Sequence, residues 1–514
     1  MKDLNLGAFK AYDIRTKISN LDDELKLRLY NAVVAYVKDS LKADSIVICH
    51  DARLYVPEMA EDLAMMMRNA GINVFINPQP ISTCQFYHSM MKHRDSAGVM
   101  LTASHNPKEY VGMKLMAQDL IPLAFGYGPD GGVAKIKENY INNVVVPPVS
   151  AKGKVTVINY LDSFIDYSLK LAGLKSGDLK GERIMLEFLS GSSGTEIALA
   201  FQETGADLVL RHVVPNGFFP SGDPNPIIES SIAPARKAIV EENCNFGFCF
   251  DGDGDRLDLI APNGSQIVPG YNMSILIPEL VKLYKPFLGD REPQFYADVK
   301  AIPAAVVDMA KQGVGVHIIR NGHSFIKAKL RENFANGYIA AEEESAHYYI
   351  NLPYDINDFS KGAAAVESTL FYSLLTAKCY HENPEQYKLA QEKEHSLFRE
   401  REWPLHCEKH PEIMPELMDR VEDKMKSLGA HVIKTMEDGS DLDAVLMRFN
   451  LPQSFDKNST LEGSWVQVAE RISRSEDAMV RWEVASNDKA SCEKMNGLIH
   501  EITDEYVNAG KASY

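Results

Sequence analysis

Two short segments carry residue types whose spacing supports chemistry. In Gly98-Val-Met-Leu-Thr-Ala-Ser-His-Asn-Pro107 a buried strand pattern ends in a turn that presents Ser104, with His105 directly after it. A serine so placed can carry a phosphoryl group covalently while His105 and nearby amides position it. Taken alone, the same residues also suit a plain strand-to-helix turn with Ser or Asn as the cap. In Phe250-Asp-Gly-Asp-Gly-Asp-Arg256 three carboxylates alternate along an extended loop, so Asp251, Asp253 and Asp255 can converge on one hard cation. The intervening glycines leave room for close backbone approach. An EF-hand loop needs glycine at its sixth position and glutamate at its twelfth; counted from Asp251, these are Arg256 and Pro262. The apolar run before Asp251 leaves a second reading open, a magnesium phosphatase with Asp251 as nucleophile and no role for Ser104.

The elements that must position these loops are short apolar runs alternating with helical patterns. Strand patterns cover residues 45–50, 72–76, 98–101, 183–189, 294–298 and 314–319, and residues 57–70 have helical spacing. Such alternation predicts parallel sheets with helices on their faces. Towards the C-terminus a charged helix over residues 411–428 precedes alternating strands at 444–449, 464–468 and 479–484, an α+β pattern. Linkers are expected at residues 143–154, at Asn263-Gly-Ser-Gln and over the polar stretch from Cys379 to Glu402.

Net charge is −17 over 514 residues, which argues against nucleic-acid or anionic-membrane partners, since both need a basic surface. If the substrate is anionic, the cations must be gathered in one place. Seven scattered cysteines, mostly inside apolar runs and without metal-site spacing, read as buried free thiols of a reducing compartment. The N-terminus has no apolar signal core, and no apolar run approaches a membrane span. The cytoplasm is the expected location.

Thr102-Ala-Ser-His-Asn-Pro107 and Asp251-Gly-Asp-Gly-Asp-Arg256, about 150 residues apart, resemble the α-D-phosphohexomutase family, most closely bacterial phosphomannomutases and phosphoglucomutase/phosphomannomutases. Phe9-Lys-Ala-Tyr-Asp-Ile-Arg15, Gly112-Met-Lys114, Pro215-Asn-Gly-Phe-Phe-Pro220, Asp298-Val-Lys300, Gly322-His-Ser-Phe-Ile-Lys327 and Glu343-Glu-Ser-Ala-His347 match in order. The resemblance implies an α/β fold: three similar mixed α/β domains plus a C-terminal α+β domain around a central cleft. With the expected linkers this divides the chain into residues 1–148, 149–262, 263–378 and 379–514, bearing the phosphoserine, metal, sugar and phosphate loops. It implies Ser104 as phosphoserine and, with Asp251, Asp253 and Asp255, as ligand to Mg²⁺. Arg15, His105, Lys114 and Arg256 would lie at the transferring group, with Lys114 as general acid/base among other cations. Glu343 and Ser345 would grip sugar hydroxyls, and Lys300, His323 and His347 would line the sugar and phosphate side. Arg471, Ser473, Ser475 and Arg481 would hold the phosphate not being transferred.

The implied reaction is a reversible phosphoryl shift between the 6- and 1-positions of a hexose, with hexose 1,6-bisphosphate as intermediate and activator, by a monomer or homodimer. The ending Ser345-Ala-His-Tyr-Tyr349 looks like phosphomannomutases and points to mannose; glucose, an amino sugar and a pentose stay open. A non-catalytic sugar-phosphate-binding relative also stays open, because the C-terminal loop departs from the family pattern. There Arg474 stands for asparagine and Asp477 for proline, Thr16 and Glu342 stand where glycine is usual, and the chain is longer between about 380 and 450. Arg474 is expected to compensate for the lost stiffness of that loop.

Overall fold

The β-branched run at residues 45–50 forms the strand Ser45–His50, buried over its last five residues. It pairs in parallel with Asn73–Pro80 and Ala97–Leu101. Tyr110–Ala117 then runs antiparallel between Ala97–Leu101 and Ile14–Lys17, so the first sheet is mixed. Helices cover it with apolar residues at i, i+4, i+8 spacing: Leu25, Leu29 and Val33 from Asp23–Ala35, and Met59, Leu63 and Met67 from Val56–Asn69. Each such side chain contributes roughly 1.5–3 kcal/mol by leaving water. Val155–Val157 adds to the far edge beside Asn73–Pro80, so the first sheet takes chain from beyond the boundary expected at residue 148.

This computed structural model describes residues 4–474 and 478–514. The chain falls into two units, Met1–Gln266 with Ser345–Glu382, and Ile267–Glu344 with Asn383–Tyr514. In the first unit, a second sheet runs Asp207–Arg211, Arg183–Glu187, Phe246–Phe250 in parallel, then Leu257–Ile260 antiparallel. The triple-aspartate loop is the turn between its last two strands. Phe250 stacks on Phe188 at 5.3 Å between ring centroids, and Phe246 meets Tyr380 at 4.3 Å. Tyr380 lies on the helix Thr369–Glu382, so that helix packs with the second sheet and the expected division at residue 378 cuts through it. The expected linker at Asn263 is a tight turn closed by Ala261 N–H donating to Ser265 O at 2.8 Å. The hairpin His347–Pro353 and Ala363–Glu367 completes this unit.

In the second unit Gln294–Asp298 pairs in parallel with Gly315–Ile319 and Tyr338–Glu343. A separate antiparallel sheet runs Phe398–His406, Met479–Ser486, Val466–Ile472, Asp441–Phe449, His431–Thr435. The helices Met414–Ser427 and Lys489–Asn508 bury Leu417, Val421, Met425, Met495 and Ile499 in one cluster with Trp482. The linker expected over Cys379 to Glu402 is instead a helix, Pro384–His395, followed by the edge strand Phe398–His406. That helix buries only Tyr387 and Ala390, which is why its composition resembles a solvated loop.

One buried carboxyl ties the helix Thr83–Lys92 to the helix Gly194–Glu203 within the first unit: Ser82, the cap of the former, donates to Glu196. Burial pushes Glu196 up to about 8, against a smaller downward pull from Ser82. A folded-state value above the unfolded one of about 4.3 means its contribution is full below about pH 4.3 and is lost as pH rises through the folded value. Denaturant unfolding at pH 5 and pH 8 should therefore show a stability loss at least ~1 kcal/mol smaller in Glu196→Gln than in the parent, the worth of one pKa unit.

Candidate active site

The serine loop is built by a guanidinium. Arg53 lies just past the end of the strand Ser45–His50 and is 1% exposed. Its Nη1 donates to Pro107 O at 2.7 Å and Tyr110 O at 3.1 Å, and its Nη2 to Ser104 O and Asn106 O, both at 2.6 Å. Its Nε donates to Asp51 Oδ2 at 3.1 Å, an oxygen that also accepts from Thr102 Oγ1 at 2.7 Å. Thr102 Oγ1 in turn accepts from Ser104 N–H at 2.8 Å. These bonds hold Ser104 at φ 50°, a left-handed conformation unusual outside glycine. Ser104 Oγ lies 3.2 Å from His105 Nδ1 and 3.2 Å from Asp251 Oδ2.

The triple-aspartate loop meets Ser104 with all three carboxylates buried. Asp251 Oδ1 accepts from the backbone N–H of Asp255 at 3.0 Å and of Arg256 at 3.1 Å, which folds the loop on itself and leaves Oδ2 towards Ser104. Asp253 Oδ2 accepts from Thr83 Oγ1 at 2.6 Å and Lys114 Nζ at 2.7 Å; Asp255 Oδ2 accepts from Lys114 Nζ at 2.5 Å. Thr83 N–H donates to Asp253 O at 2.8 Å, and Thr369 Oγ1 to Gly254 O at 2.6 Å. A Cβ on Gly252 would come within 2.8 Å of Ser104 O, so only glycine allows this approach. Burial and the two neighbouring carboxylates push Asp251 well above the usual range. At Asp255 burial pushes upward too, but Lys114, His347 and Arg256 outweigh it and hold the carboxyl below its ordinary value.

Lys114 differs from expectation. Burial lowers its tendency to hold a proton, but its neighbours are Asp253 and Asp255, not cations, and they raise it above the ordinary lysine range. His105 goes the other way: desolvation, Arg256 and Arg15 keep it well below its usual value and hence neutral. Arg15 donates to Asp13 and, at 2.5 Å, to Asn106 Oδ1. Arg256 Nε lies 3.2 Å from His347 Nε2, and Arg256 and His347 form an isolated β-bridge. Ser345 lies half-buried in the turn just before it.

The remaining expected residues lie in the second unit. Asn321 Nδ2 donates to Glu343 Oε1 at 2.9 Å and to Asp298 Oδ1 at 2.7 Å. Lys300 Nζ is 3.8 Å from Asp298 and 3.9 Å from Glu402. Arg471 donates to both oxygens of Glu402, at 2.7 and 2.9 Å, with Arg481 3.5 Å away. Ser473 N–H donates to Met479 O. His323 opens the helix His323–Asn333. Arg474 is paired with Asp443, which also meets Arg320. Ser475, Glu476 and Asp477 lie outside the described residues. Glu342 is fully buried, and its carboxyl is pushed well up by burial, Glu344 and Asp298.

Residues 7–124 match the family model "Phosphoglucomutase/phosphomannomutase, alpha/beta/alpha domain I", and residues 159–264 match that of domain II. Domains I and II of that family are thus matched in chain order. A phosphomannomutase of Vibrio cholerae is 29% identical over 357 residues, covering 68% of this chain and 73% of the relative. A phosphomannomutase of Escherichia coli K12 is 29% identical over 353 residues, covering 67% and 73%. A phosphoglucomutase/phosphomannomutase family protein from Burkholderia thailandensis has the same fold, with a TM-score of 0.76 at 19% identity and 97% of each chain covered. So does Paramecium parafusin, with a TM-score of 0.72 at 15% identity, covering 98% of this chain and 95% of that one. The matched models and the relatives named phosphomannomutase mark the chain as a mutase-type phosphotransferase acting on sugar phosphates. No helix among the described residues is long and apolar enough to cross a membrane.

Sequence reasoning passed over Asp51, Arg53, Thr83, Thr369, Asn321 and Glu402. The signal for the first two was present: a carboxylate and a guanidinium directly after a buried parallel strand, the end of a sheet where α/β proteins build sites. Arg53→Leu leaves the Asp51 carboxylate buried without its partner, so denaturant unfolding should show a loss of about 3–5 kcal/mol. Catalytic turnover in the surviving folded fraction should also fall, because the Ser104 loop loses four carbonyl anchors.

Proposed function

We propose that this protein is a phosphomannomutase that interconverts mannose 6-phosphate and mannose 1-phosphate, with phosphorylated Ser104 as the group carrier and mannose 1,6-bisphosphate as intermediate. The observation that carries this reading is the serine hydroxyl 3.2 Å from a carboxylate oxygen of a buried triple-aspartate loop. It is supported by the family and by curated relatives named phosphomannomutase.

The residues fit a hard divalent cation. Asp251, Asp253 and Asp255 each offer an oxygen within 4.8 Å of the others, and Asp253 Oδ1 and Asp255 Oδ1 are buried without a hydrogen-bond partner among the described residues. Such an all-oxygen set suits Mg²⁺, which these three and Ser104 would hold and which would neutralise charge on the transferring phosphoryl. His105, held neutral, keeps its Nδ1 3.2 Å from Ser104 Oγ and so helps to position that hydroxyl. Lys114, held as the ammonium, is in the form that donates a proton. Arg15 and Arg256 add fixed positive charge, which a loose phosphoryl-transfer transition state requires. A reading with Asp251 as nucleophile would leave Ser104, whose hydroxyl donates to Asp251 Oδ2 at 3.2 Å, without a role.

Glu343 and Ser345 grip sugar hydroxyls, and His347 lines the sugar and phosphate side. Arg471, Arg481, Ser473, Ser475 and Lys300 bind the phosphate at rest, and His323 lines the same side. Four domains with boundaries near those expected, the monomer or homodimer state and a cytoplasmic location belong to the same proposal, the last supported by seven buried free thiols. Steady-state kinetics test it: mannose 1-phosphate should give a kcat/KM about tenfold or more above glucose 1-phosphate, a difference of ~1.4 kcal/mol. Chelator should abolish turnover and Mg²⁺ restore it. Equal rates favour the dual phosphoglucomutase reading, and no turnover on either sugar favours a binding relative.

A further inference from the structure

The edge strand Phe398–His406 pairs Glu400 with Val484 and then Trp403 with Trp482, so Arg401 and Glu402 share one place opposite Glu483. This is a β-bulge, a device that re-aims a side chain. It aims Glu402 at a cluster of cations. Arg471 and Arg481 lie directly opposite each other on the strands Val466–Ile472 and Met479–Ser486, an arrangement that like charges disfavour without an anion between them. Glu402 is that anion. It takes both oxygens to the Nε and Nη2 of Arg471, lies 3.5 Å from Arg481 and lies 3.9 Å from Lys300. The three cations hold its carboxyl down at about 2, against burial, so it stays ionised at every working pH. The side chains of Arg471, Arg481 and Glu402 keep 17–21% exposure, so a ligand can reach them.

We propose that Glu402 is a built-in competitor of the substrate's phosphate: its carboxylate fills the guanidinium fork of Arg471 between turnovers and yields it when a phosphate monoester arrives. This rests on reading Arg471 and Arg481 as the phosphate-binding residues of the proposed mutase. The physical basis is that a guanidinium fork fits carboxylate and phosphate oxygens in the same bidentate way, so only one can hold it at a time. A mutase of this kind must let go of one phosphate of the bisphosphate and take the other. With Glu402 at hand the vacated cations are never left without a counter-charge, which lowers the barrier to release at the cost of weaker binding. An ion pair that served structure alone would hold the arginines in place for the substrate, and removing it would weaken binding.

Glu402→Gln, Glu402→Asp and Arg471→Ala separate these cases, using calorimetric titration with inorganic phosphate and steady-state kinetics with mannose 1-phosphate. Glu402→Gln should bind phosphate about tenfold more tightly than the parent. Its KM should fall and its kcat should fall with it, since release becomes slower. Thermal melting should show a larger rise on adding phosphate in Glu402→Gln, because the added anion replaces the missing one. Glu402→Asp keeps the charge on a shorter arm and should lie between; it carries the test if Glu402→Gln does not fold. Arg471→Ala should weaken phosphate binding at least tenfold. If Arg471→Ala loses affinity while both Glu402 variants bind phosphate as the parent does or more weakly, the competitor role is overturned and the clamp stands. If Arg471→Ala binds phosphate as the parent does, the clamp itself is overturned and the competitor role with it.

Discussion

Three carboxylates on five residues of chain repel one another, and burial makes each reluctant to ionise. Nearly every feature around Ser104 answers that constraint. The turn gives one oxygen of Asp251 to two backbone amides. Lys114 bridges Asp253 and Asp255 from a strand of another sheet, and Thr83 lends both hydroxyl and amide to Asp253. Oδ1 of Asp253 and Oδ1 of Asp255 are left without a hydrogen-bond partner among the described residues. A buried acidic cluster kept half-satisfied is a poor way to stabilise a fold and a good way to select a hard cation.

The same logic, with signs reversed, governs the second unit. Lys300, Arg471 and Arg481 gather positive charge in a chain with a net charge of −17, and Glu402 is the group that lets them coexist without ligand. The second cluster is thus built with one member, Glu402, that a ligand's charge can replace.

Much of this was legible in the chain. The strands Ser45–His50 and Gln294–Asp298 appear where β-branched or apolar runs place them, and the serine and aspartate loops converge as their motifs imply. What was illegible is what depends on tertiary partners. The helix Pro384–His395 is too polar to announce itself, and the bulge that aims Glu402 leaves no composition signal. The surroundings of Lys114 depend on tertiary partners too: the resemblance implied cations beside it, whereas the antiparallel strand Tyr110–Ala117 delivers its amine to the aspartates. Arg53 was visible as a residue but not as the donor to four carbonyls contributed by residues 104–110.

The central claim is that the acidic cluster exists to serve Ser104 as the carrier of the phosphoryl group. Incubating the protein with Mg²⁺ and a hexose 1,6-bisphosphate, then mapping the acquired phosphate by peptide mass spectrometry, tests this directly. The account predicts one phosphate, stable to hydroxylamine, on the peptide bearing Ser104, and none in Ser104→Ala. A hydroxylamine-labile phosphate on the peptide bearing Asp251, persisting in Ser104→Ala, would contradict it.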